Sequence, residues 1–332
     1  MHTQYSDGSG TLSDLVKAAV EANLDYIVIT DHMDLRAREG QGLHGDLQVV
    51  VGYEHHDAHS QNHYLVLDTE SVLSDDLSAE ALPGEVRRLG GVGIIAHPEE
   101  RRRHMDNLPP YPWTAWAATE FDGIELWNQM SEWTEHLTRF NRFWRVWSPR
   151  KALRGPSERL LYLWDVLNTR RPIAGVAGVD AHAHPYRLGP LTIPIFPYKV
   201  HFRTLQTHVV LDDAPPADPA RFRWALFEAI RSCRVFFSSE RWGATTGFSL
   251  SVEGNGARGS IGGEVPFARS ATLRARWPSS ATWELVCNGF PLRRGEGVRL
   301  ELPLERAGAY RLALYRGGRG WLFTNHFRLV DA

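Results

Sequence analysis

The hydrophobic pattern divides the chain into two parts. Up to about residue 243, short apolar runs ending in polar residues alternate with amphipathic or polar segments, which predicts strands separated by helices and loops. Helices are predicted over 12–22, 78–89 and 219–233, a mainly helical stretch over 131–169, and strands over 25–30, 47–51, 64–67, 91–96, 121–127, 173–179, 207–211 and 235–237. This alternation indicates a parallel α/β fold, and we expect the strands to close into a barrel.

The pattern changes near residue 245. Apolar and polar residues then alternate in short runs parted by Gly, Pro and Ser, which is typical of a small all-β sandwich. The predicted domains are therefore residues 1–243 and 245–332. The second domain contains no cluster of residues suited to catalysis.

Several His, Asp, Glu and Asn residues directly follow predicted strands. They lie on five different strands: Asp31 and His32, Glu54, His97, Asn128, and Asp180 with His182. In a parallel barrel these strand ends meet at one mouth. Imidazole and carboxylate groups are ligands for Zn, Mn or Fe, so the pattern predicts a metal centre.

The same residues carry a resemblance to the PHP family, the polymerase and histidinol phosphatase superfamily of metal-dependent phosphoesterases. The matching pieces run in family order over residues 1–242: His2-Thr-x-x-Ser-Asp7-Gly, Thr30-Asp31-His32, Gly52-x-Glu54 with His63, Ala96-His97-Pro98, Gly123-Ile-Glu125 with Asn128, and Val179-Asp180-Ala-His182. The stretch 320–325 resembles a PHP branch with a C-terminal β-sandwich, of which some members are carbaryl-type metallohydrolases.

The resemblance implies a distorted seven-stranded (β/α) barrel that holds two or three divalent ions (Mn, Zn or Fe). It also implies three ligand sets: His2, Glu54 and Asp180; Glu54, His63 and His97, with Glu54 bridging; and Asp7, His32 and His182. Asp31, Asn128 and His184 are expected to orient those ligands. Glu54, His97 and Asp180 are the expected catalytic residues.

The family's opening motif is His-x-His, in which His2 takes the second position and Met1 the middle one. The first histidine and the strand before it have no counterpart. One explanation is a start that lies upstream of Met1, and the other is a protein lacking one ligand and one strand. We expect the upstream start, because loss of a central strand exposes two sheet edges.

These features predict a metal-dependent hydrolase in which metal-bound hydroxide attacks a phosphate ester. Amide or carbamate hydrolysis is the alternative, since the same nucleophile attacks a carbonyl. A non-catalytic PHP scaffold with an incomplete metal site is the alternative of another class. Arg101 and Arg187 are predicted to bind a substrate oxyanion.

Composition limits the remaining possibilities. The formal net charge of −2 favours neither nucleic acid nor an anionic membrane, so neither is expected as a partner, and the expected substrate is a small molecule. Cys233 and Cys287 stand alone, so neither a disulfide framework nor a cysteine zinc site is expected. We expect a cytoplasmic protein, because no signal-like segment or membrane-length apolar run is present. Most tryptophans, including Trp144 and Trp147, are expected to pack in the core or between helices, and the oligomeric state stays open.

Overall fold

A computed structural model describes residues 1–102, 109–138, 140–188, 191–267 and 270–331. The helices are α1 (Leu12–Glu21), α2 (Leu82–Arg88), α3 (Gln129–Glu135), α4 (Arg142–Trp147), α5 (Glu158–Asn168), α6 (Tyr198–Phe202) and α7 (Pro219–Arg231), with short 3-10 turns at Arg36–Gly40, Pro149–Lys151 and Glu240–Trp242. The strands of the first half are β1 (Tyr26–His32), β2 (Gly42–His44), β3 (Leu47–His55), β4 (Tyr64–Leu67), β5 (Val92–Ile95), β6 (Gly123–Asn128), β7 (Ala174–Gly178), β8 (His184–Leu188), β9 (Leu191–Ile195), β10 (Leu205–Val209) and β11 (Val235–Ser239). Those of the second half are β12 (Ser249–Gly254), β13 (Ala257–Gly259), β14 (Glu264–Phe267), β15 (Ala271–Cys287), β16 (Phe290–Leu304), β17 (Gly308–Arg316), β18 (Arg319–Thr324) and β19 (Phe327–Asp331).

Helix α1 shows how local sequence sets an element boundary. The Thr11 hydroxyl accepts a hydrogen bond from the Asp14 amide, and the Asp14 carboxylate accepts one from the Thr11 amide. This reciprocal cap fixes the first turn. Leu15 and Ala19, four residues apart, are fully buried against the sheet, so the predicted helix is confirmed.

The first sheet is mixed, whereas the sequence predicted a parallel one. Its order is β1-β3-β4-β5-β6-β7, with β2 paired to β3. β1 is parallel to β3, and β5, β6 and β7 are parallel to one another, but β4 is antiparallel to both neighbours. The connection between β3 and β4 covers only residues 56–63, which is too short for a crossover to a parallel strand.

The predicted closed barrel is instead a curled half-barrel sheet. Within the described residues, the edge strands β1 and β7 do not pair with each other. Met1 and His2 lie between them: the Thr30 amide donates to the Met1 carbonyl, and the His2 amide donates to the Ala181 carbonyl, both at 2.9 Å. A cavity of about 180 Å³ is lined mainly by apolar side chains from several strands of this part of the chain, and His2, Glu54, His97 and Asp180 also line it.

The second half of the chain forms an all-β sheet, which is larger than the small sandwich that the sequence predicted. The runs expected over 270–277 and 282–286 form one strand, β15, which pairs with β16 as a long hairpin with a register shift between Arg276 and Ala281. The sheet also includes β10 and β11, and β11 pairs antiparallel with β18. Strand pairing therefore crosses residues 243–245, and the domain boundary there stays a prediction.

Buried polar contacts join the two sheets. Asp165 of α5 receives two hydrogen bonds from the Arg311 guanidinium, at 2.6 and 2.8 Å, and contacts His326 at 2.8 Å. The Asn325 side chain bonds both the amide and the carbonyl of Gly175 in β7, each at 2.7 Å. The strand that leads to Asp180 is therefore held by the C-terminal part of the chain.

The region between β6 and β7 is helical only in part. It contains α3, α4 and α5. After β7, residues 183–203 were expected to form an irregular loop, but they include the β8–β9 hairpin. Trp144 and Trp147 are 73% and 79% exposed, so the expectation that they pack in the interior is wrong. Among the described helices, none combines the length and the apolar character needed to cross a bilayer.

Candidate metal centre

The ends of the strands in the first sheet place the predicted ligands together. His32 ends β1, Glu54 lies near the end of β3, and His97 follows β5. Asp180 and His182 follow β7 in the same way. His97 and Asp180 have positive φ angles of 26° and 49°, a conformation that costs energy in residues with a Cβ atom and often marks a functional site.

Glu54 lies at the centre of the cluster and is only 3% exposed. Its Oε1 atom is 2.5 Å from Nδ1 of His63 and 3.1 Å from Nε2 of His97. Its Oε2 atom is 3.3 Å from Nε2 of His2. One carboxylate therefore contacts three imidazoles from three parts of the chain, which is the geometry expected of a bridging ligand.

A second carboxylate approaches the same histidine. Oδ1 of Asp180 lies 3.1 Å from Nε2 of His2, and His2 is 1% exposed. The three groups His2, Glu54 and Asp180 each offer a ligand atom, and these atoms lie within 4.8 Å of one another. They are the first set implied by the family resemblance.

The third set gathers around Asp7, which is half exposed. Its Oδ1 atom is 3.2 Å from Nε2 of His182, and its Oδ2 atom is 3.8 Å from Nε2 of His32. Asp7, His32, His182 and His2 together satisfy the 4.8 Å spacing for one ion. His2 therefore borders two of the implied sets.

The second implied set meets this spacing in a different combination. Within the described residues, His32, Glu54 and His63 have mutually close ligand atoms, and His97 is not part of that group. His97 still contacts Glu54, and its ring centroid lies 5.0 Å from that of His63. The structure thus brings all eight predicted ligands into one cluster without fixing how they divide among ions.

Burial and mutual contacts shift the pKa values of these groups in opposite directions. Burial disfavours the charged form of Glu54, but His32, His2 and His63 outweigh that effect and hold its pKa well below the usual range. Burial likewise opposes protonation of His2 and His97, yet the hydrogen bonds of His2 to Asp180 and of His97 to Glu54 raise their pKa values to about 9 and about 10. Since ligand imidazoles must be neutral, metal uptake at this cluster is expected to release protons.

The residues present fit a metal centre. Among the described side chains, Nδ1 of His2, His32 and His97 are buried without a hydrogen-bond partner, an arrangement that costs free energy unless something else binds there. Nδ1 of His182 donates to the Asp180 carbonyl at 2.9 Å, so Nε2, which lies 3.2 Å from Asp7, is the nitrogen of this ring that would bind an ion. The donors are all imidazole and carboxylate, which suit Zn, Mn or Fe.

Supporting residues hold the ligands without joining the cluster. Asp31 accepts hydrogen bonds from the Thr3 amide at 2.6 Å, the Thr3 hydroxyl at 2.8 Å and the Ser6 hydroxyl at 2.7 Å. It therefore fixes the segment between His2 and Asp7. The ring of His184 stacks on that of His182 with centroids 5.0 Å apart.

Glu125 is a supporting residue whose role the sequence did not reveal. It is 5% exposed, and its Oε2 atom accepts from the His97 amide at 2.7 Å and from the Asn128 side chain at 3.0 Å. Burial raises its pKa to about 7. Asn128 in turn caps α3 through the Ser131 amide. Glu125 lies one strand away from His97. The sequence does not show that the two are close, because this depends on the pairing of β5 with β6.

The described contacts of the two arginines predicted to bind an oxyanion do not include any of the predicted ligands. Arg101 lies 3.8 Å from the Glu135 carboxylate, and Arg187 is exposed on β8. Instead, Tyr111 stacks on His63 with centroids 4.9 Å apart, and the guanidinium of Arg102 lies 5.2 Å from the Tyr111 ring centroid. Arg102 also pairs with Glu100 at 2.8 Å, and its contact with Tyr111 connects it to the predicted ligand His63.

Residues 1–77 match the PHP domain family. This match confirms the resemblance to the PHP family and contains six of the residues described above, namely His2, Asp7, Asp31, His32, Glu54 and His63. His97, Asn128, Asp180 and His182 lie beyond the matched segment, so their part in a PHP site rests on the geometry.

Two solved structures are similar to this chain at low sequence identity. A two-domain protein from Bacteroides vulgatus, described as containing a predicted PHP-like metal-dependent phosphoesterase, is 12% identical, covers 98% of this chain and 93% of its own, and has a TM-score of 0.47. A candidate metal-dependent phosphoesterase from Bifidobacterium adolescentis is 16% identical, covers 58% of this chain and 90% of its own, and has a TM-score of 0.35. TM-scores this low carry no argument about fold or activity. No curated protein matches the chain.

Proposed function

We propose that the protein is a metal-dependent phosphoesterase whose site is the cluster around Glu54. The observation that carries this proposal is the contact of one buried carboxylate with His2, His63 and His97, next to Asp180. The PHP match over residues 1–77 supports the same reaction class. Eight converging imidazole and carboxylate groups also argue against a scaffold with a decayed site.

In this proposal His2, Glu54 and Asp180 would hold one divalent ion, Glu54, His63 and His97 would hold a second, and Asp7, His32 and His182 would hold a third. When bound, the ions supply a water of lowered pKa as nucleophile and stabilise negative charge on the phosphoryl oxygens. A phosphate ester suits such a site because its charge grows on oxygens that cations bind well.

The protein's own groups orient the ligands and handle the proton. Glu125 fixes the backbone of His97, and Asp31 fixes the segment that carries His2 and Asp7. The pKa of Asp180 is held well below its usual range, because His182 and His2 outweigh the effect of burial. Asp180 therefore suits a ligand role. His97 would pass a proton to the leaving group only in a state in which it binds no ion.

The test compares metal-stripped and metal-loaded protein. Chelator-treated protein is dialysed, reloaded with Mn²⁺ or Zn²⁺, and assayed on p-nitrophenyl phosphate, its bis-ester and a p-nitrophenyl carbamate. We expect phosphate-ester hydrolysis only after reloading, and a loss of about a thousandfold or more in Glu54→Gln. Glu85→Gln, on exposed α2, is the matched control.

Folded protein that takes up metal and cleaves neither phosphate ester would contradict the proposal. Faster cleavage of the carbamate than of both phosphate esters would favour the amide or carbamate reaction instead. Protein that takes up no metal would favour the scaffold.

A further inference from the structure

A patch of exposed aromatic side chains lies between α3 and α5. Phe140 is 97% exposed, Trp144 73% and Trp147 79%. Trp144 and Trp147 are three residues apart in α4 and therefore share one face of the helix. Large aromatic side chains grouped on the surface usually mark an interaction site.

The same segment is strongly basic. Between Glu135 and Glu158 there is no acidic residue, and this stretch contains six cations: Arg139, Arg142, Arg145, Arg150, Lys151 and Arg154. The formal net charge of the whole chain is −2, so the rest of the chain is acidic overall. The positive charge is therefore concentrated beside the exposed aromatics.

An apolar groove adjoins the patch. It has a volume of about 510 Å³ and is lined on one side by residues 146–151 and on the other by Ile193, Val200 and Arg241, among others. Arg150, Lys151 and Arg241 give this groove a cationic rim. An apolar surface with basic residues at its edge suits an amphiphile with an anionic head.

The groove lies close to the metal centre. It is lined by Pro197, and the next residue, Tyr198, donates a hydrogen bond to the His2 carbonyl at 2.9 Å. The segment that bears the aromatics leaves β6 through Asn128 and α3. The patch and the predicted ligands are therefore connected through Asn128 and Tyr198.

We propose that the patch formed by Phe140, Trp144, Trp147 and the adjoining basic groove docks the protein on an anionic lipid bilayer. The tryptophans lie at the depth of the headgroups, where indole rings are favoured, and the cations bind the negative surface potential. The acidic remainder of the chain is repelled and stays in water.

A second copy of the chain is a poorer occupant on the same observations. In a two-fold dimer the same patch faces itself, which would bring Arg150 and Lys151 of one copy near those of the other. Desolvating such like charges is unfavourable. An anionic bilayer supplies both the apolar depth and the opposite charge.

The test is flotation of the purified protein with lipid vesicles. The vesicles are pure phosphatidylcholine, or phosphatidylcholine in which about a third of the lipid is phosphatidylglycerol. The variants are the double change Trp144→Ser with Trp147→Ser, and Lys151→Glu, which lines the groove. The matched controls are Trp224→Ser, 67% exposed on α7, and Lys17→Glu, exposed on α1.

We expect the parent protein to float with the anionic vesicles at low salt, to do so less at high salt, and to stay in solution with neutral vesicles. Both patch variants should bind about tenfold more weakly, whereas both controls bind like the parent. Thermal melting checks that each variant is folded, and because vesicle binding is the readout, the result is separate from that for the metal centre.

Three results would overturn the docking surface. One is a parent protein that does not bind anionic vesicles at low salt. Another is patch variants that bind as well as their controls. The last is a concentration-dependent dimer that the tryptophan changes abolish, which would assign this face to a second copy.

Discussion

At the scale of single residues, a carboxylate outside the ligand set controls the position of two ligands inside it. Asp31 holds Thr3 and Ser6 by three hydrogen bonds, and the segment so fixed carries His2 at one end and Asp7 at the other. The sequence placed Asp31 among the orienting residues, because it precedes His32. It did not show which groups Asp31 binds, since those contacts depend on the fold of the opening segment.

Replacing Asp31 with Ala should weaken metal binding by about 10- to 100-fold, as is usual when a group that orients metal ligands is lost. The reason is that His2 and Asp7 lose the contacts that fix their backbone. Calorimetric titration with Zn²⁺ or Mn²⁺ measures the effect. Asp34→Ala, whose carboxylate accepts from the Arg36 side chain on the surface, is the control, and equal affinities for the two variants would contradict the assignment.

His201, which is not one of the predicted ligands, gives a pH dependence of stability. Its side chain is fully buried, and burial lowers its pKa to about 3. The unfolded imidazole takes up a proton near pH 6.5, whereas the folded one does not. The stability that depends on neutral His201 is therefore complete above about pH 6.5 and is lost as pH falls from there towards 3.

We expect the free energy of unfolding to fall by up to about 1.4 kcal/mol per pH unit below pH 6.5 through this residue alone. His201→Gln should flatten that slope, because glutamine takes up no proton. Urea unfolding at several pH values between 5 and 7 measures it, with His59→Gln on the exposed 56–63 loop as the control. Parallel slopes for the two variants would show that His201 does not supply this dependence.

At the scale of elements, the sequence predicted the strands of the first sheet well but not their directions. The strands over 25–30, 121–127 and 173–179 are confirmed as β1, β6 and β7 within one or two residues at each end. Apolar runs reveal that a strand exists, whereas its direction depends on the length and path of the connection. For β4 the short 56–63 connection was visible in the sequence and points to an antiparallel neighbour.

Gly178 of β7 packs closely against Glu125 of β6, so a substitution at Gly178 tests how these strands position the site. A Cβ atom at Gly178 would lie 1.8 Å from Oε1 of Glu125, so Gly178→Ala must displace that carboxylate. Glu125 then loses its hold on the His97 amide and on Asn128. We expect metal affinity to fall about tenfold or more, together with a loss of about 1–3 kcal/mol in stability.

Ile173→Ala is the control for this change, because Ile173 is buried directly before β7 but is not among the residues paired with Glu125. It should reduce stability without changing metal affinity. Equal metal affinities for Gly178→Ala and Ile173→Ala would argue against an orienting role for Glu125.

At the scale of the whole molecule, the two halves are joined by charged residues that lie far apart in the sequence. Asp165 and Arg311 are 146 residues apart in the chain, yet they form a buried bidentate pair that also contacts His326. No local pattern predicts such a contact, because it depends on how the second sheet lies against α5. The sequence did not predict the surface patch of Trp144 and Trp147 for a related reason. The net charge is a sum over the whole chain and conceals a local excess of positive charge.

Asp165→Ala should destabilise the protein by about 3–5 kcal/mol, because it leaves the buried Arg311 guanidinium without its carboxylate. Both sheets should unfold in one transition at a lower denaturant concentration. Glu253→Ala is the matched control, since the Glu253–Arg274 pair is exposed and similar in length at 2.7 Å. It should cost at most about 1 kcal/mol, and an equal loss for the two variants would contradict the role of the Asp165 cluster.

The central claim is that one cluster of eight side chains around Glu54 holds divalent ions. The most direct measurement is the number of ions per chain, determined by elemental analysis after equilibrium dialysis against Zn²⁺ or Mn²⁺. We predict at least two ions per chain in the parent protein and at least one fewer in Glu54→Gln, while Glu85→Gln matches the parent. A folded parent protein that retains no ion, or a Glu54→Gln variant that retains as many as the parent, would contradict it.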